Sequence, residues 1–384
     1  MILGVMSDTH EDKNNVIPHI IKQFKARGVQ RIIHSGDIVP KHVLAELFGN
    51  LPVVCALVDN QVDPLKIDPA FTTNIPPGWM FTTPGKRVFT LPDGTLVYNG
   101  HRRHMDFLTA SEEKFNAILM ALRGEFDGLR YVFGGHLHFQ TFKQGQLVSF
   151  INPGAVADAI GWGYEYAIVD TETNEVIFSR ILPAPDDRQT FSVGVISDSA
   201  DISHRDAHFW ERLVHEFERR DVRHIIHCGN IDLDDIGRPE LKNMSVHYAI
   251  RKEQLFAHQN MKKDKDRIPE NWHVISEEKL DDGAVVDING FRFFVQWDLG
   301  LKFMSDSEAS MDSKAMQIMR AYPGTEFVLC GFTREALFVE GQKAIIINPG
   351  DINISRNFAV ICLPRREVTF GHVPYDALPE YSQC

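Results

Sequence analysis

The first 138 positions of the 384-residue chain contain an ordered series of side chains of the kinds that bind metal ions. Each lies where an apolar run gives way to a polar turn, at the predicted end of a strand. Asp8 and His10 are two residues apart, as are His136 and His138, so on an extended backbone each pair points to one side. The seven candidate metal ligands are Asp8, His10, Asp37, Asn60, His101, His136 and His138.

These residues form a mixed set of oxygen and nitrogen ligands. Such a set suits Mn²⁺, Fe²⁺, Ni²⁺ or Zn²⁺, whereas Mg²⁺ and Ca²⁺ bind mainly oxygen. Seven ligands exceed what one ion with open positions needs, but they suffice for two ions roughly 3.5–4 Å apart that share a carboxylate and a water. That arrangement supports in-line displacement at phosphorus. We therefore predict two divalent transition-metal ions as cofactors, with Mn²⁺ as the first choice, and a small phosphorylated substrate.

Taken singly, each of these residues has an ordinary structural explanation. Asp8 follows a strand, where an aspartate often caps the next helix. Single histidines are commonly surface residues or hydrogen-bonded core residues, and four others are assigned to that class: His19, His34, His42 and His104. The metal-site hypothesis therefore depends on the ordered combination and not on any one member.

The elements that position these residues are short apolar runs alternating with helical patterns. Helices are predicted over the apolar stripe from Ile17 to Phe24, over a second stripe from Val43 to Phe48, and over a third between Ser111 and Gly124. Turn residues predict hairpins at 92–94 and 144–146. Strands covered by helices predict an α/β layered fold. A dinucleotide-binding fold is disfavoured because the first turn lacks its glycine pattern.

The ligand series resembles the motif series of calcineurin-like metallophosphoesterases. The short unit and the Ile-Asn-Pro-Gly segment 151–154 resemble the YfcE-type phosphodiesterase subfamily in particular. The resemblance implies a four-layer αββα sandwich, with two packed sheets flanked by helices. It also implies that one ion is held by Asp8, His10, Asp37 and His138. The second ion would be held by Asp37, Asn60, His101 and His136, so that Asp37 bridges the two.

One position departs from the family pattern. Many members carry a histidine directly after the asparagine ligand, as a proton donor or oxyanion stabiliser, whereas this chain has Gln61, which cannot titrate. Departure of the alcohol should then depend on its own acidity. The expected catalytic residues are Asp37, Asn60 and His101. Arg102 and Arg103 are candidate phosphate-binding residues, although a solvated loop with two exposed charges explains them as well.

The same skeleton recurs about 190 residues later, which predicts a tandem duplication. Residues 131–154 align without a gap to residues 327–350, and segments 3–8 and 31–38 align to 193–198 and 224–231. The polar segment 183–190 is the predicted joint, between domains at 1–183 and 191–384. Nearly all ligands are replaced in the second copy, which we expect to be inactive. The residues that align with the seven ligands are Asp198, Ala200, Asn230, Glu253, Trp297, Phe332 and Arg334.

Composition excludes several other classes of protein. The formal net charge of −12 disfavours broad binding to nucleic acid. The longest apolar stretch is too short to span a bilayer, no secretory signal is recognised, and five scattered cysteines lack disulfide or zinc spacing. These features predict a cytoplasmic protein without a membrane partner. A homo-oligomer and an internal pseudo-dimer remain open.

The sequence predicts a metal-dependent phosphoesterase, more specifically a phosphodiesterase, whose active site lies in the first copy. A non-catalytic scaffold of the same fold, like the retromer subunit that resembles this family, is the alternative. Such scaffolds lose ligands as the second copy has, yet the first copy retains all seven. A DNA nuclease of the superfamily would carry an Asn-His element and basic tracts, which this sequence lacks.

Overall fold

The computed structural model describes most of the chain in detail. The described ranges are 1–58, 68–83, 85–101, 112–136, 138–145, 147–157, 163–184, 186–250, 254–261, 268–275, 283–299, 308–331, 335–340 and 344–374.

Strands are numbered in chain order. The first eleven are β1 (Ile2–Met6), β2 (Arg31–His34), β3 (Val53–Ala56), β4 (Met80–Thr82), β5 (Val88–Thr90), β6 (Leu96–Asn99), β7 (Leu129–Phe133), β8 (Gln140–Gln144), β9 (Ser149–Pro153), β10 (Tyr164–Asp170) and β11 (Val176–Ile181). The remaining strands are β12 (Phe191–Ile196), β13 (Val222–His227), β14 (Ser245–Tyr248), β15 (Trp272–Val274), β16 (Ala284–Ile288), β17 (Phe291–Gln296), β18 (Phe327–Cys330), β19 (Leu337–Glu340), β20 (Ile345–Asn348), β21 (Asn357–Leu363) and β22 (Glu367–His372).

In the described ranges these strands form two mixed sheets. Sheet 1 has the order β15-β14-β13-β12-β21-β22-β11-β10-β1-β2-β3-β4. Sheet 2 has the order β16-β17-β18-β20-β19-β8-β9-β7-β6-β5. In each sheet, the strands on one side of the centre follow the same outward order as their counterparts on the other side. At the centre, β11 pairs antiparallel with β22 in sheet 1, and β8 pairs antiparallel with β19 in sheet 2. Both sheets therefore run continuously from the first part of the chain into the second.

Helices cover the outer faces of both sheets. They are α1 (Ile17–Ala26), α2 (Glu112–Glu125), α3 (Ile202–Arg205), α4 (Phe209–Glu218), α5 (Leu255–Met261) and α6 (Glu308–Ala321). In the described part of the chain, no helix has the length and apolar character needed to cross a bilayer.

The layers follow from which faces are buried. A cluster that includes Val5, Phe133, Phe178 and Phe338 fills the space between the two sheets. Separate clusters lie outside: α1 and α4 pack on sheet 1, and α2 and α6 pack on sheet 2. The predicted four-layer αββα fold is confirmed for the first part of the chain.

The local predictions have mixed outcomes. The helices at 17–26 and 112–125 and the hairpins β5–β6 and β8–β9 are confirmed, although Gln146 lies outside the described residues. The predicted helix over the second stripe is wrong. A 3-10 turn covers Pro40–His42, and turns continue to Asn50. Only part of the stripe faces the core, because Val43 and Phe48 are buried while Leu44 is 52% exposed.

Candidate metal centre

The candidate ligands come from the same end of both sheets. Asp8 follows β1 and Asp37 follows β2, which pair in parallel in sheet 1. His101 follows β6 and His136 follows β7, which pair in parallel in sheet 2. Because the carboxyl ends of adjacent parallel strands meet at one edge, and the two sheets are packed face to face, these four loops converge.

Most of the ligands adopt left-handed backbone conformations, which residues other than glycine rarely adopt. The φ angles are 51° at Asp8, 39° at His10, 59° at Asp37, 73° at His136 and 45° at His138. Two backbone hydrogen bonds hold the first two loops together: Asp8 N donates to Gly36 O at 3.0 Å, and His10 N donates to Asp37 O at 3.1 Å. The turns are thus fixed by the protein backbone itself.

Five of the predicted ligands come within a few ångströms of one another. His138 Nε2 lies 3.4 Å from Asp8 Oδ1 and 3.4 Å from His10 Nε2. His101 Nε2 lies 3.9 Å from Asp8 Oδ1 and 3.8 Å from Asp37 Oδ2. His10 Nδ1 lies 3.7 Å from Asp37 Oδ2. Two groups of three have ligand atoms close enough to hold an ion: Asp8, His10 and His138, and Asp8, Asp37 and His101.

Asp8 is shared by both groups and is fully buried. Its Oδ2 accepts hydrogen bonds from Ser7 Oγ at 2.6 Å and from His136 N at 2.8 Å, but its buried Oδ1 has no hydrogen-bond donor. Burial acts to raise the pKa of Asp8, yet His138, His101 and Ser7 together hold it below its usual value. An ionised, buried carboxylate oxygen facing imidazole nitrogens fits a metal ion well.

The other predicted site residues have different outcomes. His136 is exposed, and its ring lies edge-on to that of His101 with centroids 5.2 Å apart, so it borders the centre. Asn60, Arg102 and Arg103 lie outside the described residues, and their roles stay predictions.

Residues that were not predicted from the sequence also support the centre. His34 is fully buried: its Nδ1 accepts from Gly36 N at 3.2 Å and its Nε2 lies 3.1 Å from Thr9 Oγ1. Burial lowers the pKa of His34 to about 3, so its ring is neutral. His34 falls within the predicted class of surface or hydrogen-bonded core histidines, but its support of both ligand loops was not foreseen. Its recurrence as His227 was the available signal.

Two further supporting residues carried no sequence signal that we used. Asn99 is buried at the end of β6, and its Nδ2 donates to His34 O at 3.1 Å and to Val54 O at 3.2 Å, which ties sheet 2 to sheet 1 beneath the site. Helix α1 has Val16 as its N-cap residue, and the carboxylate of Asp12, not that of Asp8, accepts hydrogen bonds from Val16 N and Ile17 N. Helix capping, the structural alternative considered for Asp8, therefore does not explain this residue.

Residues 1–174 match the family model of the calcineurin-like phosphoesterase superfamily domain. The N-terminal part of this chain is a calcineurin-like phosphoesterase domain. No match was found among curated proteins.

Three solved structures that are similar to the chain include two enzymes and a sorting protein. An archaeal phosphodiesterase is 22% identical over 47% of this chain and 99% of its own, with a TM-score of 0.35. The phosphoesterase YfcE from E. coli is 16% identical over 47% of this chain and 93% of its own, with a TM-score of 0.30. Vps29 complexed with Zn²⁺, from Entamoeba histolytica, is 14% identical over 47% of this chain and 91% of its own, with a TM-score of 0.30.

The positions that align with the phosphoesterase site differ in the second half. Asp198 has the same left-handed backbone as Asp8, with φ 58°, but its carboxylate is occupied by protein donors. Oδ1 accepts from Trp297 Nε1 at 3.0 Å and from Asn230 Nδ2 at 3.1 Å, while Oδ2 accepts from Ser197 Oγ. Trp297 thus occupies the position of His101 and satisfies the one retained carboxylate. Glu253, Phe332 and Arg334 lie outside the described residues.

Proposed function

We propose that the phosphoesterase domain is a metal-dependent phosphodiesterase that binds two divalent transition-metal ions, with Mn²⁺ the first to test. The observation that carries this proposal is the convergence of Asp8, His10, Asp37, His101 and His138 from the ends of both sheets. Asp8 Oδ1 in particular is buried and without a hydrogen-bond donor. A donor set of two carboxylates and three imidazoles fits the ions named above better than Mg²⁺ or Ca²⁺.

Each part of this site has a distinct task. When bound, two such ions would supply a water that is deprotonated near neutral pH and would neutralise the charge on the phosphate. Asp37 is placed between His10 and His101, at 3.7 and 3.8 Å, and is our candidate for the residue that holds both ions. His101 Nδ1 lies 2.9 Å from the Ser35 carbonyl, which fixes its ring with Nε2 facing the carboxylates.

The expected preference for substrates with acidic leaving groups rests on the sequence around Asn60. We propose that Asn60 completes the ligand set with His136, and that Arg102 and Arg103 contact the substrate phosphate. Because Gln61 has no titratable proton, the alcohol must leave without an imidazole to protonate it. Substrates with acidic leaving groups, such as aryl phosphodiesters, should therefore react much faster than alkyl phosphomonoesters.

The second half is proposed to be a degenerate copy of the first, without catalytic activity. The occupied carboxylate of Asp198 favours this reading, because three protein donors already satisfy the oxygens that a metal ion would need. The same observation favours a scaffolding role for this half, in which it supports the catalytic half and does not turn over substrate itself.

A substrate panel tests the proposed activity. An aryl phosphodiester, an aryl and an alkyl phosphomonoester, and single-stranded DNA are assayed with Mn²⁺ and with chelator. We expect metal-dependent hydrolysis that is fastest on the aryl diester. Equal rates on the aryl diester and the alkyl monoester would contradict the leaving-group argument, and no hydrolysis with any divalent ion would favour the scaffold.

Matched variants locate the activity within the chain. Asp8→Asn and Asp37→Asn should lower kcat/KM by at least about 100-fold, because each removes a carboxylate shared within the site. Asparagine tolerates the left-handed backbone at both positions, so the fold should survive. Asp198→Asn is the matched control in the second half and should retain the parent activity. Loss of activity in Asp198→Asn, with an unchanged unfolding temperature, would refute the assignment to the first half.

A further inference from the structure

The centre of the sandwich has two ends that are equivalent in topology but different in chemistry. Glu165 pairs with Arg180 across β10 and β11, and the aligned residues Asn357 and His372 pair across β21 and β22. In sheet 2, Phe142 pairs with Phe338, its own aligned counterpart, so the axis of pseudo-symmetry passes there. We define the charged end as Gln140, Glu165, Arg180 and Glu340, and the open end as their aligned counterparts Ala336, Asn357, His372 and Gln144.

The charged end is filled by buried polar side chains. Arg180 is 3% exposed; its guanidinium donates to Glu340, lies 3.7 Å from Glu165 Oε1, and donates to Gln140 Oε1 at 2.9 Å. The Gln140 amide reaches across to the other sheet and donates to the Tyr166 and Ser179 carbonyls at 2.9 and 2.8 Å. Burial, and then the neighbouring Glu340, raise the pKa of Glu165 well above its usual value. Four long polar side chains thus occupy the whole space.

The open end has lost the side chains that would fill the same space. Ala336 stands in place of Gln140, and His372 is exposed where Arg180 is buried. Asn357 Nδ2 donates to Gln144 Oε1 at 2.5 Å, which leaves this pair folded against one wall. What remains is a cavity of about 320 Å³ between the two halves. Volumes from roughly 300 Å³ upward are typical of small-molecule sites.

The walls of this cavity combine aromatic faces with hydrogen-bond donors. Phe142, Phe370 and Tyr131 supply the apolar part, and Arg130 supplies a cation whose guanidinium lies 5.5 Å from the Tyr131 ring centroid. Arg130 and the Tyr131 hydroxyl both donate to Asn174 Oδ1, which fixes them at the wall. A guanidinium has five N–H donors, so most of those on Arg130 are available beyond this contact.

Charge selects the class of ligand. Among the described residues that line the cavity there is no Asp or Glu, although the chain has a net charge of −12. A neighbouring pocket beyond His372 contains four acidic side chains of the described residues. Glu175 and Glu216 are paired with Arg220. The other two, Asp170 and Glu172, do not line the cavity. An anion entering the cavity would therefore meet Arg130 without a competing carboxylate on the walls.

We propose that the open end is a binding site for a small organic anion with a planar ring, separate from the metal centre. The ring would lie among Phe142, Phe370 and Tyr131, and the anionic group would accept hydrogen bonds from Arg130. The walls of the cavity come from both halves of the chain. A bound ligand would therefore contact both halves, as Arg180 of the first half contacts Glu340 of the second at the charged end. This inference does not depend on the proposed phosphodiesterase activity.

Calorimetric titration with naphthalene-2-sulfonate tests the site in the full-length protein. We expect saturable binding with one equivalent per chain, the same with chelator as with Mn²⁺ and phosphate present. Naphthalen-2-ol, which lacks the charge, and inorganic sulfate, which lacks the ring, should bind at least about 10-fold more weakly, as expected for loss of a charge-assisted hydrogen bond or of the buried ring.

Variants assign the binding to this cavity. Arg130→Gln should weaken binding by about 10-fold or more. Ala336→Gln, which introduces the side chain found at the charged end, should abolish it. Arg123→Gln is the matched control, because Arg123 lies on α2 and does not line the cavity. Unfolding temperatures verify that the variants fold. Arg130 is only half-buried, so Arg130→Gln keeps the test valid if the Ala336→Gln protein does not fold. Absence of saturable binding, displacement by phosphate with Mn²⁺, or equal affinity in Arg130→Gln would overturn the proposal.

Discussion

At the scale of single residues, a left-handed backbone conformation recurs at the metal centre and at its counterpart. Asp8 and Asp37 have positive φ, and so do the aligned Asp198 and Asn230. Each such residue costs of order 1–3 kcal/mol. In the second half Asp198 N donates to Gly229 O at 3.0 Å, as Asp8 N donates to Gly36 O in the first. The loop of the second half thus keeps the left-handed conformation although the carboxylate of Asp198 is already occupied by protein donors. The conformation is therefore a feature of the fold and does not depend on metal binding.

The residue scale also shows what the sequence could and could not reveal about the site. Asp8, His10, Asp37, His101 and His138 were found from the sequence because chemically similar side chains follow successive strands. His34 and Asn99 were not, because a single buried histidine or asparagine has no pattern that separates it from the core. Their hydrogen bonds join segments far apart in sequence, which only tertiary structure brings together.

Three histidines on neighbouring strands of the second half give a prediction about pH. Burial, followed by His273 and His224, lowers the pKa of His247 to about 4; its ring lies 5.0 and 6.3 Å from theirs. An unfolded histidine titrates near 6.5, so between pH 6.5 and about 4 the unfolded chain binds more protons. The free energy of unfolding should therefore decrease as the pH falls through this window.

The variant His247→Gln should make that decline shallower. The difference in free energy of unfolding between pH 6.5 and pH 4.5, measured in urea, should shrink by up to about 1 kcal/mol, less than a fully buried group would give. His19→Gln, which removes an exposed histidine of α1, is the control and should leave the difference unchanged. An identical pH dependence in His247→Gln and the parent would contradict the prediction.

At the scale of elements, periodicity predicted those helices whose apolar stripe meets a continuous surface. In α1 the residues Ile17, Ile20, Ile21 and Phe24 are all buried. The stripe from 43 to 48 is also apolar but does not form a helix. It lies between a 3-10 turn at Pro40–His42 and the positive-φ residues Gly49 and Asn50, and its Leu44 is exposed, so the chain reverses there before entering β3. Sequence periodicity does not record where a chain must reverse within a few residues, so this segment was mispredicted.

The turn after β9 supports an element-scale prediction. Gly154 N donates to Asn152 Oδ1 at 3.1 Å, and the aligned Gly350 N donates to Asn348 Oδ1 at 2.9 Å. Gly154 has φ 82°, and an added Cβ would lie 1.9 Å from Glu165 Oε2. Gly154→Ala should therefore lower the free energy of unfolding by at least about 2 kcal/mol, from strain and overpacking together.

Helix α2 provides the control for this substitution. Gly124 has nothing within 4 Å of an added Cβ and lies inside a helix, so Gly124→Ala should stabilise by up to about 1 kcal/mol. Both variants are compared by urea denaturation. A Gly154→Ala protein as stable as the parent would show that the turn and Glu165 adjust freely.

At the scale of the whole molecule, the two halves share their sheets and their core. The cluster between the sheets includes Phe178 and Ile151 from the first half and Phe338 and Phe370 from the second. The pairs β11–β22 and β8–β19 close strand edges that either half alone would expose. Such edges and such an apolar surface favour association with another chain.

A fragment of residues 1–183 should therefore be insoluble, or self-associate and lose activity. Size-exclusion chromatography with light scattering, together with the aryl phosphodiester assay, measures both properties. Co-expression with residues 191–384 should restore a soluble complex and is the matched control. A monomeric 1–183 fragment with full activity would show that the second half is dispensable.

The joining of both halves in one polypeptide has a consequence for how the molecule can change. In an assembly of two identical subunits, any substitution beside the twofold axis would appear twice, and both ends would acquire the same chemistry. Here Arg180 and His372 are encoded separately, so they can differ. One end holds a buried cluster of paired charged side chains, while the other holds a pocket. A single polypeptide thereby permits different chemistry at two places that twofold symmetry would otherwise keep the same.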